Sequence, residues 1–123
     1  RLADVYLMYA EATLRGGNGT PSQALKYIND LRQRANGGST VGNITSLDLT
    51  LDFLIDERVR ELHWEAHRRQ DLIRFGKYTG GTYNWAWKGN AAKGISIPAY
   101  RSVFPIPEGS LGANKNLTQN TGY

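Results

Sequence analysis

Three glutamates, Glu57, Glu61 and Glu65, recur at intervals of four along one stretch of this chain. On a helix that spacing puts all three on one face. Paired carboxylates do general acid–base work in glycoside cleavage, but there the two groups flank the scissile bond from opposite sides. Carboxylates sharing one helix face cannot flank a bond in that way. Arg58, Arg68, Asp71 and Arg74 stand close by, so the spacing points to a lattice of ion pairs holding the helix against its neighbours. Glu57, Arg58, Glu61, Arg68, Asp71 and Arg74 are therefore expected to be scaffold, and no residue is expected to be catalytic.

The stretch "HWEAH" sets His63 and His67 four apart, a workable metal pair on a helix. The zinc-protease helix needs a glutamate directly after the first histidine, and Trp64 holds that place. The chain has only two histidines and no cysteine, whereas a catalytic zinc takes three protein ligands. No metal or other cofactor is expected. The run "HRRQDLIRFGK" is basic, but Asp71 and the acids upstream offset it, which leaves no cationic face for a phosphate backbone. No nucleic-acid partner is expected.

The stretch "YNWAW" is the best small-molecule feature. Tyr83, Trp85 and Trp87 alternate, so an extended backbone would put the three rings on one side. Exposed flat rings stack on the apolar faces of sugars while polar neighbours meet the hydroxyls. Tyr78 and Tyr100 can join them. The same rings would equally form a satellite core pinning a long loop, because aromatics dominate packing wherever they are buried. Tyr83, Trp85, Trp87 and Tyr100 are thus the candidate glycan-stacking residues, and the accessibility of the two tryptophans separates the two outcomes.

The elements that must position these groups are marked by glycine. None of the 14 glycines falls in 1–15, 20–36 or 43–75. Glycine costs a helix about 1 kcal/mol relative to alanine, so the gaps mark three helices. In the first, Leu2, Val5, Tyr6, Tyr9 and Ala12 recur on one helical face. Leu7, Met8 and Ala10 widen the apolar surface, so this helix is expected to pack on more than one side. In the second, Thr20 is placed to cap, Pro21 suits the first helical position and Gln23 completes a capping box; Ala24, Leu25, Ile28, Leu31 and Ala35 form its stripe. These two form an antiparallel hairpin of the size used by tetratricopeptide-like solenoids. The third runs from Leu51 towards Gly76, with Leu54, Ile55, Leu62 and Ala66 in its stripe and a possible break near Arg69-Gln70. From Thr79 onwards the chain reads as coil with short extended pieces.

The 123 residues suffice for one domain with a modest core. The net charge of +4 is spread thinly. No apolar run approaches the roughly 18 residues of a membrane span. Arg1-Leu2 opens directly into a helical pattern, which reads as a piece of a longer protein.

Four stretches then fit one family. "RLADVYLMYAEA", "ALKYINDLRQRA", "LIDERVRELHWEAHRRQDLIRFG" and "FPIPEGSLGANKNLTQNTGY", in this order, resemble the C-terminal segment of SusD/RagB proteins, the glycan-capturing surface lipoproteins of Bacteroidetes. The most specific parts are E-R-x-x-E-L followed by E-x-x-R-x-x-D-L-x-R, here Glu57 through Arg74, and the ending N-x-N-L-x-Q-N-x-G-Y, here Asn114 through Tyr123. Ala66 stands where the family often has Gly, Phe75 where it often has Trp, and Lys115 and Thr121 where Pro is common.

The resemblance implies an all-α fold: a tetratricopeptide-like hairpin plus a third long helix, followed by a long irregular C-terminal coil. Residues 1–123 would be the C-terminal part of a single SusD-like domain, helical over 1–77 and a loop with a C-terminal strap over 78–123. It implies a surface-exposed lipoprotein of the outer membrane, anchored through an N-terminal lipid outside this chain, and a SusC-like TonB-dependent transporter as partner. The implied role is non-catalytic: oligosaccharide is bound and handed over for import. The family's glycan contacts vary between members, so none transfers by motif, and "YNWAW" rests on its own chemistry. The competing expectation is a helical-repeat scaffold for protein contact without a ligand in this segment.

Overall fold

A computed structural model describes residues 1–123, the whole chain. The protein is all-helical, with α1 (Leu2–Leu14), α2 (Pro21–Ala35), α3 (Leu51–Glu61), α4 (Arg68–Arg74) and α5 (Glu108–Ala113), and no strand. No helix is long and apolar enough to cross a membrane. The chain forms two compact units, Arg1–Arg68 and Arg69–Tyr123.

The first unit is built on the α1–α2 hairpin with α3 against it. Gly16, at φ +89°, ends α1, a left-handed backbone that side-chain-bearing residues avoid. Pro21 starts α2 with Thr20 at the N-cap position, but the Thr20 side chain makes no capping bond. Its peptide N–H donates instead to the Tyr9 hydroxyl at 3.0 Å. The expected capping box therefore gives way to a tyrosine reaching across from α1.

The buried residues of α1 are Ala3, Leu7, Ala10 and Glu11. This corrects the expected stripe: Leu2, Val5 and Ala12 are exposed, and the core face is rotated from it. The reason is that α1 carries large apolar residues all round, so several faces satisfy the helical period. Ala3 and Ala10 are small enough to let α2 approach closely around Leu7. Beside them, Tyr6 stacks on Tyr27 at 4.1 Å and 12°, and Tyr9 meets the same ring edge-on at 5.2 Å. On α2, Ala24, Ile28 and Leu31 are buried, while Ala35 is exposed. Leu49, Leu54 and Leu62 complete the core.

The connection from α2 to α3 is held by side chains. Asn29 clasps one residue through both of its backbone polar groups: its amide donates to the Ile44 carbonyl at 3.1 Å and its oxygen accepts from the Ile44 N–H at 2.9 Å. Thr50 caps α3, its hydroxyl accepting from the Phe53 N–H at 3.1 Å. The Thr45 hydroxyl and N–H both donate to Asp48, at 2.7 and 2.8 Å. These bonds, the hydroxyl first, hold the Asp48 carboxyl below its ordinary value. A lowered folded-state pKa stabilises the fold above the unfolded-state pKa, and the gain is lost as pH falls through the lowered value. NMR titration should therefore put the Asp48 midpoint below that of an unfolded peptide, and Thr45→Ala should move it back towards the ordinary value.

The expected long third helix is two helices. It stops at Glu61, well before the anticipated break, and resumes at Arg68. Trp64 and Ala66 lie at φ +64° and +61°. Left-handed residues cannot continue a right-handed helix, and each costs on the order of 1–2 kcal/mol.

In the second unit, α4 is followed by a loop closed by one backbone bond, from the Gly80 N–H to the Ile97 carbonyl at 3.1 Å. The tail, expected as coil, contains the short α5. Beyond α5 it returns to the segment before it. Gln119 clasps Ile106 as Asn29 clasps Ile44: the Ile106 N–H donates to its oxygen at 2.8 Å and its amide donates to the Ile106 carbonyl at 2.9 Å. Asn120 donates to the Phe104 carbonyl at 2.8 Å, and the Tyr123 hydroxyl donates to the Val103 carbonyl at 2.7 Å. Of the tail's large apolar side chains, Ile106 and Leu111 are half-buried, while Phe104, Leu117 and Tyr123 are exposed.

Candidate functional site

Two carboxylates of α3, Glu57 and Glu61, are occupied by arginines. Glu57 accepts from Arg32 at 2.7 Å and from Arg60 at 2.8 Å through the same oxygen. Glu61 accepts from Arg34 at 2.6 Å and pairs with Arg1, which also reaches Glu65. Glu65 lies past the end of α3, so the three glutamates do not share one helix face. Arg58 is buried, with its Nη2 donating to Asp4 at 2.9 Å. Arg68 donates to the Ile55 carbonyl at 3.0 Å, and Asp71, also buried, accepts from Arg74 at 2.7 Å. A cavity of about 240 Å³ between α2 and α3 is lined by Leu31, Arg32, Ala35, Asn36, Glu57, Arg60 and Glu61. Its acids face arginines at hydrogen-bond distance, an arrangement that holds the helices together. His63 and His67 fall in the turn between α3 and α4, so the helical spacing a metal pair needs is not formed. The His63 ring lies 5.8 Å from that of Trp64.

The aromatic loop departs from the expected strip. Trp87 is left-handed, at φ +68°, and the Lys88 N–H donates back to the Trp85 carbonyl at 3.1 Å. The backbone thus turns where an extended strand would have aligned the three rings. Tyr83 and Trp85 meet edge-on at 5.9 Å and 64°. Trp85 is 41% exposed and Trp87 69% exposed. The Lys77 ammonium lies 5.1 Å from the Tyr83 ring. Tyr100 belongs to another group: it meets Tyr123 edge-on at 5.0 Å, and a Cβ on Gly122 would fall 2.5 Å from its ring. Tyr78 lies 5.1 Å from the Arg69 guanidinium, which also covers Phe104 at 4.0 Å. Of the four candidate stacking residues, the structure brings Tyr83 and Trp85 together, sets Trp87 beside them on the turn, and places Tyr100 in the C-terminal cluster.

Sequence reasoning missed Lys88. It is 3% exposed, with its ammonium donating to the Tyr83 carbonyl at 2.8 Å and the Asn84 side-chain oxygen at 3.1 Å. A lysine four residues after an asparagine, amid aromatics and glycines, is a weak signal that becomes legible only once the loop is folded. Gly94 closes the same loop: at φ +71°, a Cβ there would fall 2.3 Å from the Trp85 carbonyl oxygen.

The whole chain, residues 1–123, matches the model of the SusD family. The chain belongs to the SusD family. It is 44% identical over its full length to the starch-binding protein SusD of Bacteroides thetaiotaomicron, covering 21% of that protein. It is 38% identical over 134 aligned residues to a SusD-like protein of Formosa agariphila, covering 24% of it. A SusD-like protein of Bacteroides ovatus is 37% identical over 95 residues, 72% of this chain and 16% of that one. The matched stretch therefore spans about a sixth to a quarter of the length of these relatives. The SusD family match includes the Glu57–Arg74 and Asn114–Tyr123 motifs, whose arginine pairs and Gln119 clasp are described above.

Proposed function

We propose that the protein carrying this chain is a non-catalytic oligosaccharide-binding lipoprotein of the bacterial outer-membrane surface that hands glycan to a SusC-like TonB-dependent transporter. The similarity to a starch-binding protein favours an α-glucan ligand. Within this chain, Tyr83, Trp85 and Trp87 form the stacking surface. The observation that supports this most is the exposure of Trp85 and Trp87 on a loop closed by its own hydrogen bonds; buried tryptophans would have made the loop a satellite core. Indole faces meet the C–H faces of sugar rings, and the Lys77 ammonium, 5.1 Å from the Tyr83 ring, stands near enough to meet a hydroxyl. The engagement of Glu57 and Glu61 by arginines agrees with binding without bond cleavage.

Fluorescence titration of the intact protein with maltoheptaose tests this reading. Trp87→Ala and Trp85→Ala should each weaken binding about tenfold, about 1.4 kcal/mol, the scale of one lost stacking contact. Affinities equal to that of the unmodified protein would remove the stacking surface from this loop. A protein-contact scaffold is the second reading, favoured by the exposed apolar residues Leu2, Val5 and Met8 on α1. It predicts maltoheptaose binding that is indifferent to both tryptophans.

A further inference from the structure

We propose that Lys88 is the positioning residue of the aromatic loop: its buried ammonium fixes Tyr83, Trp85 and Trp87 in their binding arrangement before the glycan arrives. The inference rests on the stacking reading above and adds to it the residue that makes the surface rigid.

Lysine is almost never buried without a partner, and an ammonium taken out of water must recover its hydrogen bonds. Here the acceptors are two neutral oxygens, the Tyr83 carbonyl and the Asn84 side chain, and the Trp85 ring lies 5.0 Å away. All three belong to the segment carrying the first two rings. The Lys88 backbone, next to Trp87, ties into the same loop. Its N–H donates to the Trp85 carbonyl at 3.1 Å, and its carbonyl accepts from the Ile95 N–H at 3.0 Å. The Trp87 N–H donates to the Ala91 carbonyl at 3.0 Å. One residue thus joins the ring-bearing segment to both sides of the turn that follows it. At 3% exposure its ammonium has almost no surface left to offer a ligand, so it acts through the rings. Exposed rings on a loosely held loop must be ordered when a sugar binds, and that ordering subtracts from affinity. A loop already held in place escapes the loss.

The test uses four variants of the intact protein: Lys88→Met, which keeps the stem and removes the charge, Asn84→Ala, Trp87→Ala, and Lys88→Met combined with Trp87→Ala. Maltoheptaose is the probe, with calorimetry for affinity and thermal unfolding as control. Lys88→Met should weaken binding about tenfold with the unfolding midpoint unchanged, and Asn84→Ala should weaken it by less. In the double variant the combined loss should be smaller than the product of the two single losses, because the share of the positioning that serves the Trp87 ring has no value once that ring is gone. Should Lys88→Met bind within about twofold of the unmodified protein, or should its loss simply multiply with that of Trp87→Ala, the proposal is overturned while stacking stands. Should Trp87→Ala bind normally, the stacking reading itself fails, and the proposal with it.

Discussion

Leu7→Ala should lower the unfolding free energy of the first unit by about 3 kcal/mol, whereas Val5→Ala, two residues away, should change it by less than about 0.5 kcal/mol. Leu7 is wholly buried between the small residues of α1 and the core face of α2; Val5 is half exposed. Removing a buried isobutyl group loses its transfer free energy and leaves a cavity, which the close-packed surroundings fill only in part. Chemical denaturation of the 123-residue chain measures both variants. Equal losses would mean that α1 buries the Leu2–Val5–Ala12 face instead.

The second large effect concerns two arginines of α3 that lie two positions apart and so point to opposite faces. Arg58→Ala should cost about 3 kcal/mol, and Arg60→Ala less than about 1 kcal/mol. The Arg58 side chain is 3% exposed and binds Asp4; removing it strips a carboxylate of a cation and empties the space its stem fills. Arg60 pairs with Glu57 at a similar distance, but its side chain is 57% exposed. Water can replace much of that contact, and Glu57 keeps Arg32. Denaturation at low and high salt separates them further: any loss from Arg60→Ala should shrink with screening, and that from Arg58→Ala should persist. Similar costs for the two would show that burial does not govern these pairs.

Glycine spacing and the Thr20-Pro21 start made the hairpin legible, because helix boundaries depend on local chemistry. The core face of α1 was not legible: Leu2, Val5, Leu7 and Met8 surround the helix, and period alone cannot choose among them. The break after Glu61 lacked a signal too, since no glycine or proline stands between Leu51 and Phe75. Only tertiary packing places Trp64 and Ala66 in the left-handed region. At the candidate site, the rings of Tyr83, Trp85 and Trp87 were evident from composition. Their arrangement was not, because alternation implies alignment only on an extended backbone and Trp87 turns. Lys88 escaped notice because lysine is normally solvated, so nothing local announces its burial.

The Gln119 clasp on Ile106 makes the tail a ring. Its two ends are fixed to each other across 13 positions, and α5 sits in the arc between them. Closing a loop costs entropy that grows only with the logarithm of its length, roughly 0.6 kcal/mol per doubling. The arc from Pro107 to Thr118 can therefore gain or lose residues at little thermodynamic cost, while Gln119, which supplies both bonds of the closure, has no such latitude. Length variation in this tail should be free to accumulate inside the ring, and a protease that cuts the arc should leave its two ends still held together.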